Sequence, residues 1–507
     1  MFTLRLTPTS LGAIALAVSV GMVGSGAGCG DDGGTGGAGG TAPSWNGAIE
    51  WAPCADDDPA GPGVECASIA VPANWGEPAG SSITFVVRRI RAEESRGQLW
   101  LLAGGPGQPG WVWVGVGAKP YFDQIAPGLD LYFPDHRGTG DSDYVRCADT
   151  KSPGGVVDCV KRLESAWGDD VPFFNTTQAA RDVGEIAARM RDPDDELFVL
   201  GSSYGSTWGH RYLQLFPDQP SGVILDSPCP PGTCNFSVSH AQVGEGVGRL
   251  LFDLCSEDAV CSTKLGPDPW VRVGALLDAL DAGHCPSLVL RRSDASAIFK
   301  RLLSEPETRG YLPAVVYRIE RCAAADVEVV QHLLSTPFAR QAEDTALGLL
   351  YHVVLSELFP EPAPTLDEAR AELAPLWIVD AASLLYFAQA RPLWPVYPRD
   401  EYVGTYATTE TPILTMTGTL DPATPPAIAS PFGEHYQGAH QHYVEVERAG
   451  HGVLSEPCGA ALIAAFIEAP SAPLDTSCAT ETPPIDFVGT PEKNEQLLGT
   501  PDAYENE

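Results

Sequence analysis

From Ser82 onward, short runs of β-branched and aliphatic residues alternate with longer stretches of helical period, the pattern of a mostly parallel sheet whose strands are joined by helices. ITFVVRRIRA, QLWLLAGG, LDLYFPDHRG, ELFVLGSSYG and GVILDSP come in that order, each reading as a buried strand that ends in Gly, Asp or Pro turn residues. Two further runs, PILTMTGTLD and HYVEVERAGHG, appear only after residue 410. Between Pro228 and about Tyr397 the texture turns helical, as in VGALLDALDAG, ALGLLYHVVLSELF and DEARAELAPLWIVDAASLLYFAQA. A helical block therefore interrupts the sheet before its last strands. Its place predicts a cap over the carboxyl ends of the strands, where open α/β sheets bind ligands. The polar, acidic stretch after Cys478 is expected to be ordered only in part.

The amino terminus has one early cation, Arg5, then an apolar run from Leu11 to Val23 that is short for a membrane span, then small residues up to Cys29. This reads as an export signal. Gly26-Ala27-Gly28-Cys29 resembles a bacterial lipoprotein processing box, which implies Cys29 as a lipidated first residue. The following GDDGGTGGAGGTAPS lacks side chains able to pack and reads as a flexible tether. Cleavage nearby to release an ordinary secreted protein is the alternative.

With 507 residues, 44% hydrophobic and 19% charged, the chain has apolar material for a large core or a core plus a subdomain. Lys+Arg total 31 against Asp+Glu 66, a formal charge of −35, so no basic excess is available to neutralise phosphates and nucleic acid is an unexpected partner. Of 13 cysteines, setting Cys29 aside leaves twelve, an even set suited to disulfides in an oxidising compartment. Local pairing suggests Cys54–Cys66, Cys147–Cys159, Cys229–Cys234, Cys255–Cys261 and Cys458–Cys478, leaving Cys285 for Cys322, although sequence does not fix connectivity. No spacing supplies four metal ligands, and no cofactor is expected. Beyond the signal there is no predicted membrane span, so a lipid at Cys29 would be the membrane contact. Oligomeric state is left open.

The chemistry begins at Gly201-Ser202-Ser203-Tyr204-Gly205, where a strand runs into a GxSxG turn and then a helical stretch, STWGHRYLQLF. The glycines allow a tight turn that lifts the Ser203 hydroxyl out of the sheet, with a helix amino terminus aimed at developing negative charge. A serine hydroxyl needs a base and a third group to orient that base. His451, in ERAGHGVL just past the last predicted strand, is the candidate base; His136 belongs to a turn, and His435, His440 and His442 crowd a surface-like stretch. Asp421, in GTLDPATP after the strand PILTMT, is the candidate acid, with Asp226 after GVIL as its competitor and Asp135 as a turn-fixing carboxylate. An oxyanion would be met by two amides, Tyr204 and Gly105, the latter with Gly104 in the glycine turn after QLWLLA.

WAPC with VECASIAVPANW, AGGPGQPG, DHRGTGDSD, GSSYGS, the insertion bearing Cys322, GTLDPATPP, and AGHG followed by Cys458 and Cys478 are spread in order over residues 51–487. Together they resemble the tripeptidyl aminopeptidase and proline iminopeptidase family of α/β-hydrolase serine peptidases, with a TAP-like C-terminal region. The resemblance implies the α/β-hydrolase fold, a mostly parallel central sheet with a helical cap inserted before the last strands. It also implies Ser203, Asp421 and His451 as the triad, release of short amino-terminal pieces from peptides, and a cap that admits small substrates. Family members that hold a free amino terminus do so with cap carboxylates. Glu320 stands beside Cys322, but Ala323, Ala324 and Ala325 follow where an acid often stands, so peptide and ester substrates both stay open, as does an inactive surface-anchored binding protein. The chain then divides into a signal peptide (1–28), a tether (29–44), a first core part (45–228), a cap (229–397), a C-terminal core part (398–487) and an acidic tail (488–507).

Overall fold

The computed structural model describes residues 49–114, 118–335 and 345–505. The signal peptide, the tether and Cys29 lie outside them. Nine strands form one sheet: β1 (Ala52–Pro53), β2 (Glu65–Pro72), β3 (Ser82–Ile90), β4 (Gly97–Leu102), β5 (Leu129–Pro134), β6 (Glu196–Ser202), β7 (Gly222–Asp226), β8 (Ile413–Gly418) and β9 (Gln441–Val446). Their order across the sheet is β1-β2-β3-β5-β4-β6-β7-β8-β9. Every pair from β5 to β9 is parallel, while β1, β2 and β3 add antiparallel edges.

Strands β4, β5, β7 and β8 are buried along their whole length, which is why they read as continuous apolar runs. Strand β2 instead alternates buried Ala67, Ile69 and Val71 with exposed Ser68 and Ala70, a half-buried edge pattern of small residues. The chain leaves β4 for β5 on one side and later returns to β6 on the other. The crevice between the carboxyl ends of β4 and β6 is therefore the switch point, where this architecture holds ligands.

The inserted block is helical throughout its described part, but it packs in two places. Helices between Val238 and Ser335 share a core containing Phe252, Leu277, Phe299 and Leu312, whereas Leu349, Val353 and Phe387 join the sheet-side core beside Tyr204 and Trp208. The first group reaches over the strand ends: Lys300 Nζ donates to Pro422 O at 2.7 Å, and Arg309 NH2 donates to Arg448 O at 2.7 Å.

The segment after Cys478 differs from the expectation of partial order. It forms the helix Pro491–Leu498 and buries Phe487, Leu498, Ala503 and Tyr504 in the cap core. The cause is a buried cation. Arg318 donates to the carbonyls of Ala503 (2.7 Å), Asp502 (2.8 Å) and Glu505 (2.6 Å), and the Glu505 carboxylate pairs with Lys264 and Arg321, so the tail's backbone and one acidic side chain together fix it in place.

Twelve cysteines pair as Cys54–Cys66, Cys147–Cys159, Cys229–Cys234, Cys255–Cys261, Cys285–Cys322 and Cys458–Cys478. Among the described residues the one cluster with metal-ligand spacing is Cys54, Asp58 and Cys66, and there the thiols are joined to each other while Asp58 pairs with Arg88 at 2.9 Å. No helix of the described residues is long and apolar enough to cross a membrane.

Candidate active site

Ser203 follows β6 directly and precedes the helix Tyr204–Leu215, at φ 57° and ψ −126°, a conformation L-residues adopt at a cost of about 1–3 kcal/mol. The flanking glycines make it possible. A Cβ on Gly201 would lie 2.0 Å from Gly205 O, and one on Gly205 would lie 2.1 Å from Leu102 O. The Ser203 N–H donates to Asp226 O (3.0 Å), and its carbonyl accepts from both the amide and the hydroxyl of Ser206.

The turn after β4 lies against this elbow. A Cβ on Gly104 would stand 3.1 Å from both Ser203 Cβ and Ser202 O, a tight contact, and Gly105 sits at φ 109°. Asp135 fastens the end of the turn by accepting from Gly110 N at 2.7 Å and from Arg88 NH1 at 2.8 Å. The Gly105 amide donates to no other residue among those described, and Tyr204 begins a helix whose first N–H groups have no helical acceptor.

Asp421 lies three residues past β8 and is buried; His451 follows β9, its side chain 28% exposed. His451 Nδ1 is 2.8 Å from Asp421 Oδ2, so Nδ1 carries the hydrogen and Nε2 keeps a lone pair. The other oxygen, Oδ1, accepts from Ala423 N (2.8 Å) and Thr424 N (2.9 Å). Burial alone would raise the Asp421 pKa, but the imidazole and these two amides outweigh it and hold the carboxyl well below its usual range. Burial likewise disfavours charged His451, yet the adjacent Asp421 carboxylate, and Asp226 further off, raise its pKa above the ordinary value.

Asp226 is not bonded to His451. It accepts from Ser202 Oγ (2.7 Å) and Leu454 N (3.2 Å), and burial raises its pKa to about 6. With Ser227 it forms a hub: Asp226 O takes the Ser203 amide, Ser227 Oγ takes the Gly452 amide (2.8 Å), and Ser227 O lies 2.9 Å from Thr424 Oγ1. The end of β7 thus ties together the loops bearing Ser203, Asp421 and His451. The Ser203 hydroxyl itself makes no hydrogen bond among the described residues. Such contacts commonly tighten only with substrate in place.

Sequence reasoning missed Ser227, Thr424, Lys300 and Arg309. The DPAT turn carries a signal for Thr424, an aspartate accepting from the amides two and three residues on. Nothing local marks the two cap cations. Lys300 is pulled down to about 8 by burial, despite Asp421 and Asp380 nearby, and Arg309 packs against the loop before His451, where a Cβ on Gly450 would meet its NH1 at 2.4 Å. Glu320 is engaged elsewhere, accepting from Arg272 Nε at 2.9 Å.

The family described as TAP-like protein matches residues 388–478, the segment that holds both Asp421 and His451. The tripeptidyl aminopeptidase of Streptomyces lividans is 28% identical over 209 residues, 36% of this chain and 38% of that protein. The chain carries a segment similar to the TAP-like family. Serine protease Hip1 of Mycobacterium tuberculosis is 26% identical to this chain over 251 residues, 44% of it and 47% of Hip1. The matches therefore span less than half the length of these curated relatives. Among solved structures, proline iminopeptidase of Mycobacterium smegmatis aligns over 80% of this chain and 98% of its own, with a TM-score of 0.35 and 14% identity.

Proposed function

We propose that the protein is an exported serine hydrolase that releases short amino-terminal pieces from peptides through an acyl-enzyme on Ser203. The observation that carries this is the His451 Nδ1–Asp421 bond of 2.8 Å, joined through the Asp226–Ser227 hub to a serine in a GxSxG elbow. His451 Nε2 takes the Ser203 proton as Oγ bonds the substrate carbonyl carbon, and the amides of Gly105 and Tyr204 hold the resulting oxyanion. The C–N bond breaks, the amine leaves with that proton, and water repeats the sequence to free the acid and restore Ser203.

A free amino terminus needs an anion. Glu305, exposed just before the helix Pro306–Arg309, makes no ion pair among the described residues and is close enough to His451 for their charges to interact. It is the cap carboxylate best placed to meet an ammonium. Six disulfides suit an oxidising compartment, which supports export, and lipidation at Cys29 would anchor the body through its tether.

Covalent labelling by a fluorophosphonate, abolished by Ser203→Ala, tests the chemistry; a folded wild type that never labels would remove the enzyme reading. Hydrolysis of tripeptidyl amides, free or acetylated at the amino end, beside short acyl esters tests the substrate. Glu305→Gln should raise KM about tenfold for the free peptide and far less for its acetylated counterpart. Equal effects on both would leave the ammonium without a partner at this position.

A further inference from the structure

Tyr204 joins the elbow to a chain of buried polar groups that no step above uses. Its side chain is buried, and its Oη lies 2.9 Å from Thr176 Oγ1 and 3.1 Å from His136 Nε2. The directions of these bonds are fixed. His136 Nδ1 is 2.7 Å from Arg137 O, and a carbonyl only accepts, so Nδ1 carries the hydrogen. Burial pushes this imidazole down to about 3, which keeps the ring neutral with a lone pair on Nε2. Tyr204 therefore donates to His136 and accepts from Thr176. Thr176 N in turn donates to Glu357 Oε1 (3.1 Å), which also accepts from Tyr397 Oη (2.8 Å), and Arg211 NH2 pairs with Glu357 Oε2 at 3.3 Å.

A phenylalanine would fill the same apolar surroundings with no need of partners, and buried polar groups cost stability unless every one is satisfied. What the network adds is position. One end of Tyr204 is its backbone, fixed by the elbow; the other is a hydroxyl held from two sides by separate elements, the turn after β5 and the helix Thr176–Met190. Trp208, one turn further along the nucleophile helix, packs edge-on to the His136 ring at 4.7 Å between centroids, so the same imidazole braces two turns of that helix.

We propose that His136 and Thr176 are positioning residues that hold Tyr204 by its hydroxyl and so fix the aim of its amide at the oxyanion. The proposal rests on the serine hydrolase reading above. Misaiming a preorganised donor by a fraction of an ångström lowers the rate without weakening ground-state binding.

The test measures kcat and KM on a peptide amide, the rate of fluorophosphonate labelling, and affinity for a peptide boronic acid, which forms a tetrahedral adduct. Tyr204→Phe and Thr176→Val should each lower kcat about tenfold with KM within about twofold, and weaken the boronate by a similar factor. His136→Gln, whose amide oxygen can accept the same hydroxyl, should keep more of kcat than His136→Leu. Folded variants that match the wild type in kcat and boronate affinity would overturn the proposal, as would losses that only follow the unfolded fraction. Should Tyr204→Phe fail to fold, Thr176→Val, a change of one hydroxyl to a methyl, decides alone. A wild type that labels and turns over beside indifferent variants sinks this inference only; a wild type that never labels sinks the hydrolase reading first.

Discussion

His451 sets the pH response of the site. Asp421 and Asp226 together outweigh burial and hold its pKa above 6.5, and a general base must be neutral, so kcat/KM should rise with pH through a midpoint above that value. Asp421→Asn removes the larger of the two favourable charges and no longer selects the tautomer with hydrogen on Nδ1. The acid limb should move to lower pH while kcat falls by about 10⁴. A pH–rate profile of the variant whose acid limb stays in place or moves up would contradict the pairing. The same shifts bear on stability with opposite signs. Asp421, held low, stabilises the fold above its unfolded pKa near 3.9, and that contribution is lost as pH falls through its folded value. His451, held high, stabilises it fully below about 6.5, and that contribution is lost as pH rises through its folded value. Both are whole only between about pH 4 and 6.5, on the acid side of the pH where the base works best.

At the scale of elements, the tail is where composition misleads. Arg318 is fully buried, paired with Asp326 at 3.0 Å, and satisfied by three tail carbonyls. Arg318→Ala should cost about 2–4 kcal/mol, because it leaves three tail carbonyls without their donor and frees the tail, while Asp326 keeps its pair with Arg321 at 2.6 Å. Thermal unfolding measures this, and deleting residues 485–507 should reproduce most of the loss; a deletion that leaves the midpoint unchanged would show the tail to be an ornament. The contrast explains what was legible beforehand. Strands β4 to β8 declare themselves by apolar runs that end in turn residues, since burial on both faces leaves little alternative composition, while β3 and β9 show such runs although partly exposed. Ser203, Asp421 and His451 stand out because each follows such a run. Strand β2, half exposed and built on alanine, serine and valine, carries a weaker pattern, and the tail's docking depends on backbone carbonyls, which no side-chain reading registers, and on Glu505 meeting Lys264 and Arg321 from far along the chain. Ser227 and the cap cations escape for a related reason: their partners are main-chain atoms or residues more than a hundred positions away.

Across the whole molecule, stability and activity should separate along the disulfides. In the chain-entropy account the loss on removing a crosslink grows with the logarithm of the loop it closes. Cys285–Cys322 closes the longest, with a separation of 37 residues, and Cys229–Cys234 the shortest, with 5. Replacing both cysteines by serine should therefore cost about 4 kcal/mol at the first and about 2 kcal/mol at the second. Their places reverse the order for chemistry. Cys285–Cys322 staples helices of the cap, whereas Cys229 N donates to Ser206 Oγ at 2.9 Å, and that hydroxyl in turn donates to the Ser203 carbonyl. The shorter loop is two hydrogen bonds, through one hydroxyl, from the nucleophile's own backbone, so its loss should slow fluorophosphonate labelling more. Unfolding midpoints and labelling rates of the two double variants would then rank in opposite orders. If they ranked alike, the elbow would owe its shape to the glycines and the β7 hub, and the small loop would matter only as one more constraint on the unfolded chain.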